Sequence, residues 1–180
     1  LLLDRLSSYP DLDIVVPNNS KEVGKNIAEK FSGKFLILDQ DRNIVRIIFR
    51  NFTVDIASQT HELLVEDLKS RDFTINSVGF SFNDGKLIDP AHGIRDMNDS
   101  LLRSFRDENL LDDPLRILRC FRFVSELNFH IEPRILRFIE LNKFRLKTVS
   151  AERIQYELKR IVQGKEALKT VEFLNEIKIF

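Results

Sequence analysis

One cysteine, Cys120, is all the thiol chemistry that the 180 residues contain. That excludes an internal disulfide framework and is compatible with a reducing, cytoplasmic compartment. Set among apolar residues at helical spacing, Cys120 reads as a buried, inert thiol. Histidine is also scarce, at three, and none stands in a ligand-like spacing, so a histidine-based zinc site is not expected. No phosphate loop of the Gly-x-x-x-x-Gly-Lys kind and no Ser/His/Asp signature is present, which sets aside P-loop and serine-hydrolase chemistry. No apolar run approaches the roughly 18–20 residues that a membrane span needs. Internal repeats and low-complexity linkers are missing too. Net charge is zero, normally an argument against nucleic-acid binding, but the charges are unevenly placed. Residues 1–102 carry 12 basic and 16 acidic side chains, whereas residues 103–165 carry 14 basic and 9 acidic. An acidic first half before a basic second half suits a metal site beside a phosphate-binding surface.

What is there is enough for one large domain or two small ones, each with a core. The first residues, Leu1-Leu2-Leu3-Asp4-Arg5-Leu6, are too short for a signal-peptide core and read as a helix entered midway, with the natural N-terminus missing. Leu12–Val16 is a strand and Pro17-Asn18-Asn19 breaks it. Ser20 is suited to an N-cap, with Val23, Ile27 and Phe31 recurring every four residues on an amphipathic helix. Strands follow at Phe35–Leu38, Ile44–Phe49 and Phe52–Ala57, the first two joined by a hairpin through Asp39–Asn43. Leu63–Lys69 is helical, and Asp72 would cap a helix through Ile75 and Val78. Lys86–Ile88 is a short strand before a turn at Asp89-Pro90. From Glu108 on the signals are helical: Pro114 to Asn128, Pro133 through Ile139, Ser150 to Gly164 and Leu168 to Phe180. The fold class is therefore α+β, a mixed head at 1–107 followed by a helical part at 108–180.

Two stretches carry chemistry. Asp11 and Asp13 are one residue apart on a strand, so both point to one face. Such a pair repels unless a cation lies between them, and hard divalent ions take such oxygens while keeping open positions for phosphates. Asp55, in the middle of a neighbouring strand, is a candidate third ligand of a two-metal site. The alternative is a solvated strand end. The second stretch is Asp112-Asp113-Pro114-Leu115-Arg116-Ile117-Leu118-Arg119. Pro114 is pre-set for the first helical position and Asp113 suits the N-cap. Arg116, three residues on, can present a forked donor to the same patch of space. An acceptor beside such a donor can read a nucleobase edge, or simply cap a helix. Between the two stretches, Arg71, Asp72 and Asn76 could supply a phosphate donor, a ribose acceptor and an amide. A cap and a surface charge are the plainer roles.

The order of these motifs resembles a known family. Asp11-x-Asp13, Arg71-Asp72-Phe73-Thr74-Ile75-Asn76, Asp89-x-x-x-Gly93-x-x-Asp96 and Asp112-Asp113-Pro114-Leu115-Arg116 resemble class II tRNA nucleotidyltransferases and bacterial poly(A) polymerases. Ser150-Ala151-Glu152-Arg153-Ile154 with Glu157-Leu158 looks like that family's last helical motif, so the resemblance runs from residue 1 to about 165. It implies a nucleotidyltransferase head with a mixed sheet, then an all-helical neck. It also implies that Asp11 and Asp13 hold catalytic Mg²⁺, and that Arg71, Asp72 and Asn76 contact the sugar and phosphates of the incoming nucleotide. Asp113 and Arg116 would pair with the base, and Arg119 would belong to the same nucleotide-binding set. Asp89, Gly93 and Asp96 would mark the head–neck junction. The implied reaction adds C, and A in some members, from CTP or ATP to the 3′ end of tRNA, with pyrophosphate leaving.

This sequence departs from the family pattern in ways that bear on the product. The Gly-Gly element ahead of the aspartate pair is absent, and the downstream body and tail that grip tRNA are missing or cut short. The usual Arg-Arg-Asp is Ser70-Arg71-Asp72, and the usual Glu-Asp is Asp112-Asp113. Only Ile56–Ser70 separate Asp55 from Arg71, which leaves no room for the long loop associated in the family with adenosine addition. The resemblance thus leans to a CC-adding enzyme. A full CCA-adding enzyme or a poly(A) polymerase is the alternative, and an inactive RNA-binding relative is the alternative outside enzymes.

Overall fold

The computed structural model describes residues 11–179; the helix expected at Leu1–Leu6 lies outside them. The chain packs as two compact units, one ending at Asp67 and the other beginning at Leu68. Among the described residues no helix is long and apolar enough to cross a membrane.

The first unit is a sheet with a helix on one face. Strands β1 (Asp11–Val16), β2 (Lys34–Asp39), β3 (Ile44–Ile48) and β4 (Thr53–Ser58) lie in the order β1-β4-β3-β2. β1 runs parallel to β4, and the other pairings are antiparallel. Helix α1 (Ser20–Lys30) supplies the crossover from β1 to the far strand. Alternation sorts the strands: Val45, Ile47, Val54 and Ile56 are buried and pack with Ala28. At about 1.5–3 kcal/mol for each fully buried aliphatic side chain, this small cluster is the main glue of the unit. Close approach of α1 depends on Gly24, where a Cβ would come within 2.7 Å of Val45. The helix begins one residue earlier than a Ser20 cap requires. Asn19 occupies the cap position in the left-handed region, and the Ser20 hydroxyl instead donates 2.5 Å to the Asn43 carbonyl. Phe31 is not on the buried face but exposed at the helix end. The connection to the second unit is short and pinned: the Asp67 carboxylate accepts from the Thr60 N–H and hydroxyl at 2.8 and 2.9 Å.

The second unit is built around α5 (Arg116–Leu127). Its buried side chains Ile117, Leu118, Cys120, Phe121 and Val124 share one core with residues of α6 (Pro133–Asn142), α7 (Ala151–Gln163) and α8 (Ala167–Glu176). Ahead of it come α2 (Leu64–Lys69, which straddles the unit boundary), the hairpin β5 (Gly79–Ser81)–β6 (Lys86–Ile88), α3 (Gly93–Asn98) and α4 (Asn109–Asp112). A two-residue pairing joins β7 (Leu101–Leu102) to β8 (His130–Ile131). Helix ends follow the sequence closely. Pro133 occupies the first turn of α6, Asn128 closes α5 in the left-handed conformation, and Gly164 closes α7. Gly164 has an ordinary φ; its role is close packing, since a Cβ there would meet Ser125 Oγ at 2.2 Å.

One expectation changes. The helix expected from Asp72 through Val78 is only a 3₁₀ turn at Thr74–Asn76. The Thr74 N–H goes to the Arg103 carbonyl at 2.8 Å, so tertiary pairing replaces helical bonds there. Phe73, Ile75 and Leu102 join the core that the later helices form.

Candidate active site

In the first unit the parallel register sets Asp11 opposite Thr53 and Asp13 opposite Asp55. The antiparallel register then sets Asp55 opposite Arg46. Registered partners point to the same side, so Asp11, Asp13, Asp55, Thr53 and Arg46 share the face away from α1. The Thr53 hydroxyl donates to Asp11 Oδ1. Arg46 grips Asp55 with both prongs, Nε to Oδ1 and Nη2 to Oδ2, each at 2.7 Å. The bond to Asp55, with the charges of Asp55, Asp11 and Asp13, holds the Arg46 guanidinium above its ordinary pKa against the effect of burial. Among the described residues, no three His, Cys, Asp or Glu side chains are gathered so as to hold a metal ion. Asp11 and Asp13 fit a hard divalent cation by donor type and shared face. Both Asp55 oxygens already accept from Arg46, so a cation drawn to Asp55 would compete with the guanidinium for them.

The second unit assembles the remaining candidates around α4 and the first turn of α5. Asp113 is extended (φ −144, ψ 103), and its Oδ1 accepts the Leu115 N–H at 3.2 Å. That is the N-cap bond expected for Asp113 with Pro114 first in the helix, although regular α-helix starts at Arg116. Asp113 Oδ2 accepts from Arg153 Nη2 on α7 at 2.6 Å. Arg116 is held by its Nη1, which donates to the carbonyls of Asn109 at 2.6 Å and Ser70 at 3.1 Å. Burial pulls the Arg116 guanidinium below its ordinary pKa, although Asp72, Asp112 and Asp113 oppose it. Asp112 is 64% exposed and stands 3.8 Å from Arg116, too far for a strong pair.

Asp72 is buried, with both oxygens in use. Oδ1 accepts the Phe73 N–H and the Asn76 amide, both at 2.9 Å, and Oδ2 accepts Arg119 Nε at 2.7 Å. Burial pushes the Asp72 carboxyl up, but Arg119, Asn76 and the Phe73 N–H together outweigh it and hold it below the usual range. Arg71 Nη1 donates to the Asn76 carbonyl at 3.3 Å. Arg71, Asp72, Asn76 and Arg119 are thus one linked set, with Asp72 as its interior hub. In the Asp89 and Asp96 motif, Asp89 holds backbone and Asp96 holds side chains. Asp89 oxygens accept from Gly93 and Ile94 N–H at 2.6 and 3.0 Å, and buried Asp96 accepts from Thr74 at 2.5 Å and from Arg103. Gly93 is obligatory there, since a Cβ would fall 2.0 Å from the Thr74 carbonyl oxygen. His92, beside it, takes the left-handed conformation at φ 58 and is a loop residue.

Two contributors were not among the expected site residues. Asn109 is buried, and its amide donates to the Lys69 and Arg71 carbonyls at 2.7 and 2.8 Å, fixing the turn between α2 and Asp72. Arg153 could be found only through the family motif in which it lies. Cys120 is fully buried, and burial pushes its thiol well above the usual range, so it is inert.

Comparison with known proteins gives these motifs a common origin. Residues 57–103 match the family model described as the poly A polymerase head domain, and residues 128–180 the one described as the probable RNA and SrmB-binding site of polymerase A. The CC-adding tRNA nucleotidyltransferase of Synechocystis sp. is 40% identical over 87% of this chain and 38% of its own length. That of Geobacter sulfurreducens is 33% identical over 93% of this chain and 40% of its own. The chain therefore spans about two fifths of these relatives. Among solved structures, the Thermotoga maritima CCA-adding enzyme complexed with tRNA superposes with a TM-score of 0.83 at 28% identity, covering 99% of this chain and 44% of that one. A CCA-adding enzyme in complex with CTP gives 0.82 at 30% identity, covering 94% of this chain and 43% of that one. Enzymes of this kind are generally dependent on divalent metal ions. The chain belongs to the family of tRNA nucleotidyltransferases and poly(A) polymerases.

Proposed function

We propose that this chain provides the catalytic carboxylates and the base-reading residues of a tRNA nucleotidyltransferase that adds cytidine from CTP to a tRNA 3′ end. The observation that carries it is the rigid mounting of Asp113 and Arg116, each fixed by hydrogen bonds to its neighbours. An ionised carboxylate offers about four acceptor sites, and the Leu115 N–H and Arg153 are among the groups that fix that of Asp113. Arg116 brings five N–H donors, and its described bonds fall on Nη1. Asp113 can therefore accept the exocyclic amine of cytosine or adenine while Arg116 donates to ring acceptors. Guanine and uracil present a carbonyl to the carboxylate and are rejected by repulsion and an unpaired group. Protein side chains take the place of a template.

Asp11 and Asp13 would hold Mg²⁺, with Asp55 as third carboxylate; when bound, one ion would lower the pKa of the attacking 3′-hydroxyl and the other would stabilise the leaving oxygen. That chemistry asks no histidine to act as base. Arg71 and Asn76 contact the nucleotide's sugar and phosphates, with Asp72 orienting Asn76 and Arg119 from behind. Within this reading residues 1–107 act as head and 108–180 as neck, and tRNA, CTP and a cytoplasmic setting are its partners and place. The lean toward CC addition is supported by the short connection pinned by Asp67 and by the CC-adding relatives. A full CCA-adding activity is the second reading, favoured by the likeness to CCA-adding enzyme structures. Incubating the full-length protein with tRNA ending at the discriminator base, Mg²⁺ and each triphosphate separately tests the choice. Two cytidines from CTP with no later AMP support CC addition, and AMP after CC supports the second reading. No incorporation of any nucleotide overturns both.

A further inference from the structure

We propose that Arg46 is a positioning residue that sets the divalent-cation affinity of the carboxylate face by competing for Asp55. The inference rests on the proposed metal role of Asp11 and Asp13. Register alone lines up Asp13, Asp55 and Arg46 across three neighbouring strands, on the face opposite α1. Strand spacing of about 4.8 Å puts the three side chains within reach of one another. Arg46 is the one charge in the run Ile44-Val45-Arg46-Ile47-Ile48, and a charge inside an apolar strand is costly unless it is paired. Its pair is Asp55, taken in the two-pronged geometry that occupies both carboxylate oxygens at 2.7 Å.

A divalent ion held by Asp11 and Asp13 gains from a third carboxylate, and the nearest one is already bound to a guanidinium. Ion and guanidinium compete for the same two oxygens, each drawing electron density that the other needs and each repelling the other's charge. Arg46 also adds a fixed positive charge close to the incoming cation. With side-chain exposures of 37% for Arg46 and 22% for Asp55, the pair is open enough to exchange without unfolding the sheet. Arg46 thereby keeps mutually repelling carboxylates in place before the ion arrives and weakens the site once it binds. A site tuned this way can let its metal leave with the pyrophosphate.

Titrating the chain with Mn²⁺, reading free Mn²⁺ by electron paramagnetic resonance, tests this without reference to turnover. Arg46→Gln should tighten Mn²⁺ about tenfold, equivalent to about 1.4 kcal/mol. Adding Asp55→Asn to that variant should reverse the gain, because the freed carboxylate is its source. Arg46→Lys, which keeps the charge but loses the fork, should fall between. An unchanged or weakened Mn²⁺ affinity in Arg46→Gln, with Asp13→Asn still abolishing binding, overturns the role of Arg46 alone. Mn²⁺ binding that ignores Asp13→Asn overturns the metal reading and this inference with it.

Discussion

Replacing Glu157 by alanine should cost the second unit about 3–5 kcal/mol, the loss typical of breaking one side of a buried ion pair. Glu157 and Arg122 are among the most buried charges of the chain, with side chains 3% and 7% exposed. Arg122 Nη1 reaches both Glu157 oxygens at 3.1 Å, joining α5 to α7. The pair is poorly compensated, because Arg122 Nε has no hydrogen-bond partner among the described residues and Glu126 stands 3.7 Å away. Burial pushes the Glu157 carboxyl up in spite of Arg122, and pulls the Arg122 guanidinium down in spite of Glu157. Desolvation therefore outweighs attraction in both partners. It follows that Arg122→Met with Glu157→Leu should return stability to within about 1 kcal/mol of the parent or exceed it. Urea denaturation followed by far-UV circular dichroism measures both. With a slope of about 1–3 kcal/mol/M, the single variant should shift the midpoint by roughly 2 M. A Glu157→Ala cost below about 1 kcal/mol, or a double variant as unstable as the sum of the singles, refutes the reasoning.

Other consequences are smaller or more local. Asp72, held below the usual carboxylate range, contributes stability that is present above its unfolded pKa of about 3.9 and lost as pH falls through the folded value. Asp72→Asn should therefore flatten the acid limb of a stability–pH curve; an unchanged limb would show that its partners do not favour the charged form. Glu157 works in the opposite sense, its stabilising share falling as pH rises from about 4.3 toward the raised folded value, so Glu157→Gln should lessen that fall. Gly93→Ala should destabilise by more than about 2 kcal/mol, because the colliding atom is backbone oxygen that cannot rotate away; a thermal melt within error of the parent would contradict it. Asp13→Ala should abolish nucleotide incorporation while leaving tRNA affinity nearly unchanged in a filter-binding assay.

Much of this was written locally. Pro133, Asn128 and Gly164 bounded their helices through backbone preferences that act within a few residues. The shared face of Asp11 and Asp13 follows from strand alternation alone. What stayed hidden depends on register and on contacts distant in sequence. That Arg46 lies opposite Asp55 is set by how β3 meets β4, which no local pattern encodes. The short life of the helix after Asp72 has the same origin, since the Thr74 N–H is claimed by Arg103. Asp72 looked like an exposed cap or ribose contact, yet burial made it the hub that aims Arg119 and Asn76. Asn109 is an ordinary polar residue until the fold brings the Lys69 and Arg71 carbonyls to it.

The central claim is that Asp113 and Arg116 read the base. The most direct measurement is the ratio of CTP to UTP incorporation onto tRNA ending at the discriminator base, for the full-length protein and its Arg116→Ala variant. The account predicts a strong CTP preference in the parent, and in the variant a preference that collapses along with the rate. A variant that slows but keeps the parent's CTP preference would contradict it.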